Sequence, residues 1–117
     1  MAPVQIPLQI SLDEFLARPE TEPASEYING AIAQKPMPKG KHGRLTWLLC
    51  SAINAVAEAR KIGSASPELR CTFDGRSIVP DVAFFRWDRI PFEDDEIPND
   101  FLSHPDWIIE ILSPEQS

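Results

Sequence analysis

Two acidic residues stand in stretches where apolar side chains belong. In Ser77-Ile78-Val79-Pro80-Asp81-Val82-Ala83-Phe84-Phe85-Arg86, strand alternation puts Asp81 on the face of Val79 and Ala83, with Val82 and Phe84 opposite. In Asp106-Trp107-Ile108-Ile109-Glu110-Ile111-Leu112, Glu110 shares a face with Ile108 and Leu112. Burying an ionised carboxylate without a partner costs several kcal/mol, so each acid calls for a proton, a Lys or Arg, or a cation. One Mg2+ or Mn2+ would serve both, and such a hard ion keeps waters free for a phosphate and a nucleophile, which is hydrolase chemistry. The competing reading is that both acids lie at strand ends or pair with Arg70, Arg76 or Arg86. Pro80 leans toward a site, because proline inside a strand marks an edge or a bulge and bulges re-aim side chains.

A second constellation is cationic: Lys35, Lys39, Lys41, His42 and Arg44 run from a loop into the start of a helix. Helix N-termini attract anions, so lysines beside one could hold a phosphate. An ordinary solvated basic loop reads the same way. Trp47, Trp87 and Trp107 stand apart and read as core or interface residues. No zinc spacing, glycine-rich phosphate loop or serine-nucleophile elbow is present.

The elements that must carry these residues follow from pattern. Ser11-Leu12-Asp13-Glu14 is a capping box opening a short helix that must end before Pro19. Asn29-Gly30 between apolar arms predicts a tight hairpin. Leu45, Leu48, Leu49, Ala52, Ile53, Val56 and Ala57 form a helical stripe, predicting one long helix from about His42 to Lys61, closed by Lys61-Ile62-Gly63. Glu68–Asp74 alternates as a strand, Asp74-Gly75 turns it, and Ser77–Arg86 returns as the second arm. Trp107–Leu112 reads as a central strand between Pro105 and Pro114, and Glu93–Glu96 as a solvated loop.

With 117 residues the chain is about one domain's worth, and 43% hydrophobic with 25% charged residues is a globular balance. Twelve prolines break it often. No apolar run approaches the ~20 residues of a membrane span, and Met1–Ile6 lacks an export signal, so the cytoplasm is the expected location, with no membrane partner. Cys50 and Cys71 lie in apolar patterns and read as buried thiols. The net charge of −7, concentrated after residue 62, argues against a general nucleic-acid coat.

Taken in order, Ser11–Leu16, Glu26-Tyr27-Ile28-Asn29-Gly30, Pro36-Met37-Pro38-Lys39-Gly40-Lys41-His42, Ile78–Ala83 and Pro105–Pro114 resemble the Uma-two family of restriction endonucleases. The resemblance implies a PD-(D/E)-x-K nuclease fold of the α/β (α+β) class: an N-terminal hairpin and one long helix packed on a mixed sheet. It implies one domain over residues 1–117 that lacks the family's final helix and strand. It also implies that Asp81 and Glu110 hold Mg2+ or Mn2+ and take part in catalysis with Glu26 and His42, while Lys39 and Lys41 bind phosphate. DNA is the implied substrate and a homodimer the implied assembly. The fold's lysine is expected two residues after the second acid, where this chain has Leu112, so it is expected from a helix beyond Ser117. That departure keeps a second function open, a catalytically inactive or regulatory binding module of the same fold.

Overall fold

The computed structural model describes residues 6, 7 and 10–112, and local chemistry sets most of its elements. After β1 (Ile6–Pro7), the helix α1 (Leu12–Leu16) begins at the expected capping box. Ser11 Oγ accepts from the Glu14 amide at 3.1 Å, and Glu14 Oε1 accepts from the Ser11 amide at 3.4 Å. Buried Phe15 then packs on the ring of Tyr27, centroids 5.5 Å apart. The hairpin β2 (Ser25–Ile28) and β3 (Ala31–Gln34) turns through Asn29 and Gly30 at φ 52° and 79°, the two positive angles that a two-residue turn needs.

The long helix, α2, is Gly40–Ala57, so it starts ahead of His42 and stops short of Lys61. Its apolar stripe is wider than its buried face. Thr46, Cys50 and Ala57 are buried and Leu49 and Ile53 pack beside them, whereas Leu45, Leu48 and Val56 are exposed. The expected closure at Lys61-Ile62-Gly63 is corrected by the structure: Lys61 takes the left-handed angle, and Gly63 opens a strand, β4 (Gly63–Pro67). Gly63 serves close packing instead. A Cβ there would lie 2.3 Å from the Phe84 ring and 2.5 Å from the Phe85 carbonyl oxygen. Nothing in Gly-Ser-Ala-Ser-Pro signals a strand; Asn54 of α2 holds it by donating to the Ala65 carbonyl at 2.9 Å and accepting from its amide at 2.8 Å.

The stretch Ser77–Arg86 is two strands, not one. β5 (Arg70–Phe73) turns at Asp74-Gly75 into β6 (Arg76–Ile78), as expected, but β7 (Val82–Arg86) pairs with β4 in a different sheet. Pro80 has no amide to continue a ladder, so Val79-Pro80-Asp81 becomes the crossing between sheets. β8 (Asp100–Phe101) and β9 (Trp107–Ile109) complete the order. One sheet runs β1-β3-β2-β6-β5-β8, with only β5–β8 parallel, and the other runs β4-β7-β9, all antiparallel. β9, expected to be central, is the outer strand of its sheet among the described residues, and the boundary expected at Pro114 lies outside them.

The core joins the two sheets. Cys71, Ala83, Phe85 and Phe101 pack together, with the two phenylalanine rings 4.5 Å apart, and α2 closes a second cluster over Ala65 and Val82. Both cysteines are free and buried. Trp87 packs on the main cluster, but Trp47 and Trp107 are 61% and 50% exposed and so are not core residues. Glu93–Glu96 is an exposed tight turn. Among the described residues, no helix is long and apolar enough to cross a membrane.

Candidate active site

The crossing delivers Asp81, and β9 delivers Glu110. The β7–β9 register pairs Val82 with Ile109, so the next step along each chain sets Asp81 level with Glu110. The two acids then bind reciprocally. Glu110 Oε1 accepts from the Asp81 amide at 3.3 Å, and Asp81 Oδ2 accepts from the Ile111 amide at 2.8 Å. Because β9 ends at Ile109, Glu110 turns half outward: its side chain is 47% exposed against 6% for Asp81, which corrects the expectation that both are buried.

A lysine stands between them. Lys35 Nζ lies 3.0 Å from Asp81 Oδ1 and 3.6 Å from Glu110 Oε2, and it also donates to the Val79 carbonyl. His42, in the first turn of α2, sets Nε2 3.1 Å from Asp81 Oδ2, while its buried Nδ1 has no partner among the described residues. Glu26 of β2 reaches the same crossing, where its Oε2 accepts from the Val79 amide at 2.8 Å. Two side chains of the hairpin thus hold the Val79 peptide groups that flank the turn into Asp81. Thr46 Oγ1 donates to the His42 carbonyl at 2.9 Å, which steadies the turn carrying the imidazole.

These neighbours pull the two carboxyls apart electrostatically. Burial would raise Asp81, but the Ile111 amide, the Lys35 ammonium and His42 outweigh it and leave the carboxyl below its usual range. Burial also acts on Glu110 and is there the largest influence; with Asp81 and Glu26 close by, it prevails over Lys35 and pushes the carboxyl up to about 7. Opposite displacements of two adjacent acids occur at centres that do chemistry and also in structural ion-pair networks.

The site opens into a cleft of about 860 Å3, whose lining includes Lys39, Lys41, Met37, Leu45 and Leu112. Lys39 and Lys41 are exposed at its rim, next to the α2 N-terminus. Among the described residues neither central acid has an arginine partner: Arg70 is bound to Glu20, and Asp106 takes the Arg89 guanidinium and the Arg86 amide. Nor, among the described residues, do three His, Cys, Asp or Glu side chains gather there into a complete cage. Two carboxylates suit Mg2+, which usually takes one or two from the protein and keeps waters and substrate oxygens for its other positions. The donor set fits such an ion and fits zinc poorly.

Lys35 is the residue that sequence reasoning missed, having been counted with the basic loop. A signal existed. A two-residue turn at Asn29-Gly30 fixes the register, pairing Glu26 with Ala33, and the ladder continues one step beyond the strand as the Lys35 amide donates to the Ala24 carbonyl at 2.8 Å. Alternation then puts Glu26, Ala33 and Lys35 on one face.

Comparison with known proteins agrees with this architecture. A family model described as "Putative restriction endonuclease", Uma2, matches residues 12–117. The chain is also similar to a crystal structure described as that of a "putative nuclease belonging to DUF820" from Anabaena variabilis ATCC 29413, with 59% identity and a TM-score of 0.86 over 92% of this chain and 61% of that one. It therefore spans about three fifths of that relative's length. No curated protein matches.

Proposed function

The chain belongs to the Uma2 restriction-endonuclease family, and on that premise we propose that it is a metal-dependent endonuclease hydrolysing phosphodiester bonds of DNA. The observation that carries the reading is the convergence of Asp81, from the crossing between sheets, and Glu110, just past the end of β9, at the floor of a cleft rimmed by lysines. Asp81 and Glu110 would hold Mg2+ or Mn2+, which supplies positive charge to the phosphate and an acidified water. Lys39 and Lys41 bind flanking phosphates and position the scissile one over the acids. His42 orients Asp81 through its Nε2, and Glu26 fixes the turn that presents Asp81 by holding the Val79 amide.

Plasmid nicking in Mn2+ tests the reading, comparing wild type with Glu110→Gln, alongside melting with and without the ion. A ligand at a hundred times its Kd stabilises by about 2.7 kcal/mol, equivalent to roughly 10 °C for a chain of this size. Wild type is expected to nick and to show such a shift, and Asp81→Asn to abolish both. A wild type that neither nicks nor shifts refutes the proposal and leaves the inactive binding module in its place.

A further inference from the structure

We infer that Lys35, brought from the N-terminal hairpin, is the catalytic ammonium of this centre, contacting the phosphate undergoing attack. The inference rests on the nuclease reading and assigns, within this chain, the cationic group that meets the scissile phosphate. The position two residues beyond Glu110 is Leu112, an aliphatic side chain 67% exposed at the cleft, and it cannot donate a hydrogen bond or carry charge. Lys35 lines the same cleft and puts a positive nitrogen within 4 Å of a carboxylate oxygen of each acid.

Its anchoring separates it from a simple counter-ion. A lysine serving only to neutralise Asp81 and Glu110 would be held by them alone and would lose its place when a divalent cation took them over. Lys35 Nζ has a third, neutral tether in the Val79 carbonyl, and its own backbone is fixed by the hydrogen bond to Ala24. Glu26 holds the amide of the same Val79. The nitrogen therefore keeps its position beside the acids whichever cation they carry. An ammonium has three donors; one goes to Val79, leaving two for groups that change partners during a reaction. The flanking cations differ, because Lys39 and Lys41 are exposed at the rim whereas the Lys35 side chain is only 16% exposed at the floor.

In the step proposed, the oxygen of water bonds to phosphorus as one ester P–O bond breaks. Water's proton passes to solvent, and the departing alkoxide takes one from solvent. Lys35 transfers no proton. Its N–H groups meet the negative charge that builds on the non-bridging oxygens, a preorganised contribution commonly worth about 100- to 1000-fold in rate for a single donor.

The test compares wild type, Lys35→Met, Lys35→Arg and Lys41→Met in Mn2+-dependent nicking, each with its Mn2+-induced melting shift. Lys35→Met is expected to lose about 100-fold or more in kcat with little change in KM and with the shift retained. Lys35→Arg recovers part of the rate, and Lys41→Met, which removes a flanking phosphate contact, raises KM by a larger factor than it lowers kcat. Nicking by Lys35→Met within about threefold of wild type overturns the inference and leaves the nuclease reading standing. Loss of the Mn2+ shift together with activity also overturns it, since the lysine would then only hold the acids in place. Should Lys35→Met fail to fold, Lys35→Gln decides: nicking within about threefold of wild type overturns the inference, and a loss of about 100-fold with the Mn2+ shift retained supports it. A wild type that never nicks removes the nuclease reading and this inference with it.

Discussion

Replacing Glu20 by glutamine strips the charge from the only carboxylate that faces Arg70 among the described residues. The Arg70 side chain is 7% exposed, and each of its three nitrogens donates. It donates to Glu20 Oε1 at 2.7 Å and Oε2 at 2.8 Å, to the Ser25 carbonyl at 2.8 Å and to Ser77 Oγ at 2.9 Å, and it lies 5.4 Å from the centre of the Phe15 ring. These bonds tie α1 and the hairpin to β5 and β6, and that hairpin carries Glu26 and Lys35. In Glu20→Gln one acceptor survives, but the other becomes an amide NH2 set against a guanidinium N–H.

Stranding a fully buried charge costs about 3–5 kcal/mol. Glu20 itself is 64% exposed, so water enters beside it and much of that cost is recovered. What remains is one charged hydrogen bond at about 1.5 kcal/mol and an exposed-pair contribution of roughly 0.5 kcal/mol, about 2 kcal/mol together. Urea unfolding at pH 7 should show that loss at unchanged m-value. The pH dependence gives an independent check. The hydrogen bonds from Arg70, opposed by burial, hold the Glu20 carboxyl below its ordinary value of 4.5. A depressed acid contributes fully above its unfolded value and loses the contribution as pH falls through the folded one. The two stability curves should therefore run parallel from pH 6 to 8 and converge as pH falls below 4.5. A gap under 0.5 kcal/mol at neutral pH, or one that persists undiminished in acid, would refute the reasoning.

Gly63→Ala should destabilise the fold by about 3 kcal/mol or more in thermal or urea unfolding, the upper end of overpacking, because one of the atoms met is the Phe85 carbonyl, fixed in the β4–β7 ladder; a near-neutral result would mean that the strands are not this close. Burial pushes the Cys71 thiol up to about 11 and raises Cys50 as well. Both should resist a thiol reagent at pH 8 in the native protein and react on unfolding, and rapid native labelling would contradict their burial. For Cys71 the sign runs opposite to Glu20: its contribution is complete below pH 9 and fades as pH rises toward 11, so alkaline unfolding should ease in the Cys71→Ala background relative to its own value at pH 8 less than it does in wild type.

The site was partly legible before any coordinates. Asp81 and Glu110 were visible as charges inside apolar runs, because alternation along a strand is a local property and a carboxylate breaks it conspicuously. The capping box at Ser11 and the turns at Asn29-Gly30 and Asp74-Gly75 were equally plain, each being decided by backbone angles and side-chain reach over a few residues. Long-range matters were not. β4 is a strand only because Asn54 and β7 hold it, Gly63 is required by a ring twenty-one residues away in sequence, and the exposed part of the α2 stripe has the same spacing as the buried part.

Composition and short-range pattern alone pick out the candidate residues, two acids and a set of cations, along with most of the turns. Tertiary structure decided which of those cations meets the acids. Pro80 ends one ladder and sends Asp81 across to the other sheet, the β7–β9 register brings Glu110 level with it, and the hairpin lays Lys35 between them. Pairing between distant strands is governed by how surfaces bury against each other, which no window of neighbouring residues encodes.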